Sequence, residues 1–335
     1  MRGLMVNRKI KIIDSTLRDG NHTVGNRFDL DDIKSIVKTL DQSGIDYIEV
    51  GYGFGMGSFN KEGFATDYQI LDAAIGQAKN SKIAILVFPN KADIKSYEKL
   101  LDYDIGLIRL AVQASNVEPA KDYIKLARDK GIQVGGFMMM ASRLSADEIT
   151  SEASKLKKFG ADTITITDSA GAMIPSSVVD TIKKVKEATK LEIGFHTHDN
   201  LGLAVGNSML AISSGASFID TAIAGLGAGA GNTRTESLVA VLDKEGYKIN
   251  ADMFKSIECV KVLDKIIKKY DVNIKDMRDM ILIGYYGIYS AFMKNVSDLS
   301  DKYGVSKKYL IANIAKNRYV PGDEEKIESL AKMLR

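Results

Sequence analysis

Three histidines occur in the 335-residue chain, His22, His196 and His198, and all three lie among other polar residues. The pair stands in GFHTHDN. In a strand, residues two apart point to one side, so His196 and His198 would offer two imidazoles to one point. That arrangement suits a metal ion, and a pair of hydrogen-bonded core histidines would share the spacing. A third ligand is available in IIDSTLRDGNH, where Asp19 can complete a His–His–carboxylate set. The bland reading of Asp19 is a turn residue, since Asp-Gly is a common turn. Oxygen and imidazole ligands suit Mg, Mn, Co, Fe(II) or Zn and do not choose among them. Arg18 has a fork that can hold a planar anion such as a carboxylate or enolate, or it pairs structurally with Glu49. His22 is near enough to the same place to act as a general base around neutral pH, or is an exposed loop histidine. The glycines of GLGAGAGNTRTE let a backbone approach a ligand, although a tight turn explains them as well. Without a G-K-[ST] ending the segment is not a P-loop.

The elements that must position these residues alternate regularly. Short β-branched runs occur at 10–14, 47–50, 83–88, 105–112, 133–139, 163–167, 192–196 and 218–222. Amphipathic stretches lie between them. In 29–42 the residues Ile33, Ile36, Val37 and Leu40 recur on one helical face, with Asp29 placed to cap and Gly44 to end the helix. Ser145 with Glu148 forms a capping box, Gly160 closes that helix, and Pro175 suits a first helical turn. Eight strand–helix pairs fit a closed (β/α)8 TIM barrel, with an open doubly wound sheet as competitor. The barrel is preferred because the unusual residues fall at the C-terminal ends of the runs, where a barrel builds its active site. After about residue 245 the runs cease, and helices are expected at 251–270, 274–295, 307–317 and 324–334. The expected division is a TIM-barrel catalytic domain, 1–245, and a small all-helical C-terminal domain, 246–335.

Composition excludes several classes. Apolar residues make up 45% and charged residues 27%, with a net charge of +3, as in ordinary globular chains. No apolar run approaches the roughly 20 residues of a membrane-spanning helix, and the N-terminus lacks a signal-peptide pattern. Basic residues alternate with acids, which argues against nucleic acid as a partner. The lone Cys259 has no neighbours that would make it a motif, so a cytoplasmic location is expected.

Together DSTLRDGNH, DSAGAM, HTHDN and GLGAGAGN resemble the metal-dependent aldolase and lyase superfamily of isopropylmalate and homocitrate synthases, HMG-CoA lyase and 4-hydroxy-2-oxovalerate aldolase. His22 after RDG, the SFNKEGF segment and YYGIYSAF resemble the 4-hydroxy-2-oxovalerate aldolase family in particular, over nearly the whole chain. The resemblance implies that Asp19, His196 and His198 bind a divalent metal. Mn2+ is the first expectation, with Mg2+, Co2+ or Zn2+ as alternatives. It implies that Arg18 stabilises a pyruvate enolate, that His22 is the base on the 4-hydroxyl, and that Tyr289 orients or protonates. Ser169 would meet the substrate carboxylate, and Asn232 would make an extra metal or water contact.

The implied reaction cleaves a 4-hydroxy-2-oxoacid to pyruvate and an aldehyde at the end of aromatic hydrocarbon catabolism. Its partners would be the small-molecule 2-oxoacid and aldehyde. An acylating acetaldehyde dehydrogenase would dock on the C-terminal domain, in a homo- or hetero-oligomer. Asp199, in place of a family histidine, and Phe54, in place of a family acid, are departures expected near the substrate pocket. Competing readings are an acyl-CoA lyase or synthase of the same superfamily, a stand-alone biosynthetic aldolase on another aldehyde, an Fe(II) oxygenase and an inactive scaffold. His22 and Tyr289 argue against the acyl-CoA reading.

Overall fold

The computed structural model describes residues 9–58, 61–89, 91–270, 272, 277–320 and 322–334. Eight parallel strands close a barrel in chain order: β1 (Lys11–Asp14), β2 (Tyr47–Val50), β3 (Lys82–Val87), β4 (Leu107–Gln113), β5 (Val134–Met139), β6 (Thr163–Asp168), β7 (Glu192–Thr197) and β8 (Ala216–Thr221). Closure is made by β1 and β8, with Ile13 opposite Asp220. The open-sheet alternative is thereby excluded.

The helix signals act as expected. Asp29 accepts from the backbone N–H of Asp31 and Asp32, and Gly44 ends the helix Leu30–Ser43 with φ +85°. Ser145 and Glu148 form a reciprocal capping box on Ala146–Phe159, and Pro175 opens Pro175–Thr189. Residues Ile33, Ile36, Val37 and Leu40 are buried in one cluster with strand residues such as Ile12, Ile48 and Ile108, which packs the helices against the outside of the barrel.

Alternation along the strands then decides the barrel interior. Ile13, Tyr47, Ala84, Leu107 and Phe218 form an apolar plug. Two residues further along the same strands come Glu49, Arg109 and Asp220, all buried. Leu86, Ala111 and Phe137 cluster above them toward the C-terminal ends.

The helix Met253–Ile267 joins the barrel's cluster through Cys259, Leu263 and Ile266. A second apolar core runs from Met280 to Ala331. Here the sequence expectation needs correction. Rather than one helix over 274–295, a helix Met277–Tyr286 stops at Gly287, whose φ of +64° leaves the helical region. A short 3-10 turn, Ser290–Phe292, leads into a separate helix, Met293–Tyr303. The start of the expected helix, and Phe59 and Asn60 of SFNKEGF, lie outside the described residues. Among the described residues no helix is long and apolar enough to cross a membrane.

Candidate metal centre

Asp19, His196 and His198 come together at the C-terminal end of the barrel, each buried, with one ligand atom apiece inside 4.8 Å of the others. Alternation along β7 and the residue that follows it supplies the two imidazoles, and the turn after β1 supplies the carboxylate. His196 Nδ1 lies 2.9 Å from Asp220 Oδ2, and His198 Nδ1 lies 3.1 Å from the carbonyl oxygen of Ala228. A carbonyl oxygen can only accept, and so can an ionised carboxylate. Each Nδ1 therefore carries the hydrogen, which makes Nε2 the nitrogen suited to a cation. Asp19 Oδ2 accepts from Asn232 Nδ2 at 2.7 Å and from the Ala228 N–H at 3.1 Å. The glycine-rich loop after β8 thus grips two of the three ligand residues. Gly227 is required there, because a Cβ would stand 2.1 Å from Asn232 Nδ2.

Behind the ligands runs a continuous chain of buried charges. Arg18 Nη1 pairs with Asp19 Oδ1 at 2.7 Å, and Arg18 Nε with Glu49 Oε2 at 2.7 Å. Arg109 joins Glu49 (Nη2 to Oε1, 2.6 Å) to Asp220 (Nη1 to Oδ2, 2.6 Å), and Asp220 holds His196. Three carboxylates against two guanidiniums leave one negative charge, which suits a divalent cation. Burial alone would raise the Asp19 carboxyl, but Arg18, followed by His198, His22 and His196, holds it well below the usual carboxylate range. Asp220 is likewise held low against burial, chiefly by Arg109 and His196. A carboxylate and two imidazoles are an appropriate donor set for a divalent metal, so the residues fit such an ion.

In front of the ligands lies a cavity of about 290 Å³. Its polar side carries Arg18, Asp19, His22, Thr167, Ser169, His196, His198 and Tyr289; its apolar side carries Phe54, Leu86, Phe88, Phe137 and Met139. Arg18 Nη2 is buried with no partner in the protein. An anion in the cavity would satisfy it. His22 packs edge-on against Phe54, centroids 4.6 Å apart, and Gly53 leaves room for its ring. Tyr289 donates to Gln113 Oε1 at 2.8 Å; burial raises the phenol, which therefore keeps its proton. Ser169 Oγ accepts from the Met140 N–H at 3.0 Å, leaving its own hydrogen to donate.

The site residues expected from the sequence therefore meet in one place, with Asn232 behind Asp19 rather than on the cavity wall. Arg18 forms the salt bridge with Glu49 and also lines the cavity. Of the two departures, Phe54 lines the cavity, but Asp199 does not. It stands one residue past the cavity-lining His198, and its carboxylate accepts from the Ala204 N–H at 2.9 Å at the start of the helix Ala204–Ser214. Sequence reasoning missed Arg109, Asp220, Gln113 and Arg143. The last reaches from the end of β5 to the carbonyls of Gly287 and Tyr319 and lies over the Tyr289 ring. A signal for Arg109 and Asp220 existed: charges inside LIRLAV and SFIDT, strands of a sheet buried on both faces, must find partners there.

Residues 9–263 match the HMGL-like family, and residues 274–335 match a DmpG-like communication domain. A 4-hydroxy-2-oxovalerate aldolase of Geobacillus genomosp. 3 is 35% identical over 98% of this chain and 97% of its own length. One of Carboxydothermus hydrogenoformans is 37% identical over 97% of each. The crystal structure of the N-terminal domain of a putative aldolase from Bacteroides vulgatus superposes with a TM-score of 0.74 at 27% identity, covering 88% of this chain and 98% of that one. The carboxyl transferase domain of Rhizobium etli pyruvate carboxylase shares the fold, with a TM-score of 0.82 at 18% identity over 98% of this chain and 62% of that one. Likeness of this order over the full length, barrel and C-terminal helices alike, places the chain in the HMGL-like family, among the 4-hydroxy-2-oxovalerate aldolases.

Proposed function

We propose that the chain is a divalent-metal-dependent aldolase that cleaves 4-hydroxy-2-oxopentanoate, or a similar 4-hydroxy-2-oxoacid, to pyruvate and an aldehyde. The observation that carries the reading is the cavity itself. A cation-binding set, an unpartnered Arg18 nitrogen and a histidine share one small chamber with an apolar wall. Asp19, His196 and His198 would hold the metal, with Mn2+ the first candidate. When bound, the metal supplies Lewis acidity at the 2-oxo group.

The chain's own residues do the rest. His22 takes the proton from the C4 hydroxyl. The C4 oxygen forms the aldehyde carbonyl as the C3–C4 bond breaks, and that bond's electron pair moves into the C2–C3 enolate. Arg18, already oriented by Glu49 and Asp19, would offer its guanidinium to the oxygen where the charge collects, so little reorganisation is needed. Tyr289, holding its proton, orients the C4 oxygen or returns a proton to C3, giving pyruvate. Ser169 donates to the carboxylate, and Asn232 steadies Asp19. Phe54, Leu86 and Phe88 accommodate the aldehyde end.

The helical part, 246–335, completes the site through Tyr289 as a second domain. It also offers a surface for an acylating aldehyde dehydrogenase, a role supported by the communication-domain match and by the exposed Ile281, Tyr285 and Tyr309. The test is pyruvate release from 4-hydroxy-2-oxopentanoate after EDTA treatment and metal add-back. Release with Mn2+ and none with EDTA is expected, and no release with any divalent metal would overturn the substrate assignment. In the same assay His22→Ala should lose about 10²–10⁴-fold in turnover with metal content intact. Undiminished turnover would remove His22 from its role.

A further inference from the structure

On β6, Thr163, Thr165 and Thr167 alternate on the inward face and are all buried. Thr167 stands in register with His196 on β7, at the level of the metal ligands, and lines the cavity. It is 2% exposed, and its hydroxyl oxygen is buried with no partner in the protein.

That is an expensive choice for structure alone. Valine would fill the same volume without burying a polar atom. Nor does the hydroxyl hold the loop after β6. That work falls to Asp168, whose carboxylate accepts from the N–H groups of Ala172 and Met173 and from the Thr197 hydroxyl. A β-branched side chain on a strand has little freedom to swing away and find water.

A second orphan, Nη2, belongs to Arg18, which lines the same cavity, and Ser169, also on the cavity wall, follows two residues along the strand line. Two buried groups lacking partners and one spare hydroxyl hydrogen around one chamber call for a ligand rich in oxygen acceptors. The apolar wall of Phe54, Leu86 and Phe88 offers such oxygens nothing.

We propose that Thr167 is a further substrate-binding residue, its hydroxyl donating to the carboxylate of the 2-oxoacid beside Ser169. The inference rests on the aldolase reading above and adds a residue that orients the pyruvate half.

The test uses the metal-loaded full chain and oxalate, a planar analogue of the pyruvate enolate, titrated calorimetrically. Thr167→Val should weaken oxalate about 10- to 100-fold, the loss of one hydrogen bond to a charged acceptor. Metal content should hold, the melting temperature should hold or rise, and Thr167→Ser should bind as the parent does. If the valine variant does not fold, Thr167→Ala against Thr167→Ser gives the same comparison. Unchanged oxalate binding in the valine variant overturns the proposal. So does loss of metal in step with oxalate, which would assign the hydroxyl to the metal or its water. A parent chain that binds oxalate with no divalent metal would instead overturn the aldolase reading first.

Discussion

Asp220 touches no substrate, yet it fixes which nitrogen of His196 faces the cation. Its Oδ2 takes the Nδ1 hydrogen of His196 and a charged hydrogen bond from Arg109. Partners of this kind orient a ligand and raise its basicity. Asp220→Asn should therefore weaken metal binding about 10- to 100-fold, measured by competition with a chelating dye. Unchanged affinity would break the link between the interior charges and the metal set. The meeting of Asp19, His196 and His198 was legible because H-x-H and RDG carry their spacing in the sequence. The Arg109–Asp220 link was not, since its partners lie 111 residues apart and meet only through strand register.

At the scale of elements, β1 has two faces with different duties. Ile13 points into the plug, while Asp14 points outward to accept from the Thr235 hydroxyl at 2.7 Å and from the Thr16 N–H at 2.9 Å. Complete burial pushes the Asp14 carboxyl up to about 6, from 3.8, against those hydrogen bonds. The folded chain thus holds a proton more tightly than the unfolded one. The stability this gives is fully present below about pH 4 and is lost as pH rises through about 6. The span corresponds to roughly 3 kcal/mol. Urea unfolding between pH 4 and pH 7 should show this loss in the parent and a flatter profile in Asp14→Asn. Parallel profiles would contradict it.

Elements with strong periodicity and caps, such as Leu30–Ser43 and Ala146–Phe159, were readable from the sequence. The break at Gly287 was not. Apolar residues continue through YYGIYSAF on both sides of it, so periodicity alone runs one helix across the turn that delivers Tyr289 to the cavity.

Across the whole molecule, the barrel stacks an apolar plug, a layer of paired charges and then the cavity, so the charge chain is buried. There each pair is held by its neighbours, and removing one member leaves another uncompensated. Burial also sets Cys259 apart: it pushes the thiol up to about 12, away from reactivity. The C-terminal helices join this arrangement through Tyr289 to Gln113, Arg143 to the carbonyls of Gly287 and Tyr319, and Asn200 to the Met280 carbonyl. Through Asn200 they also meet the loop that grips Asp19 and His198, since its Oδ1 accepts from the Ala230 N–H.

The central claim is that this chamber makes and holds a pyruvate enolate with the help of a divalent cation. The most direct measurement is exchange of the pyruvate methyl protons in D2O, followed by NMR, because it needs no knowledge of the aldehyde. Enzyme-dependent loss of the methyl signal is expected with Mn2+ present and none after EDTA. A large reduction is expected in Arg18→Lys, whose point charge cannot serve Glu49, Asp19 and the enolate at once. Absence of exchange with every divalent metal, or equal exchange in the stripped chain, would contradict it.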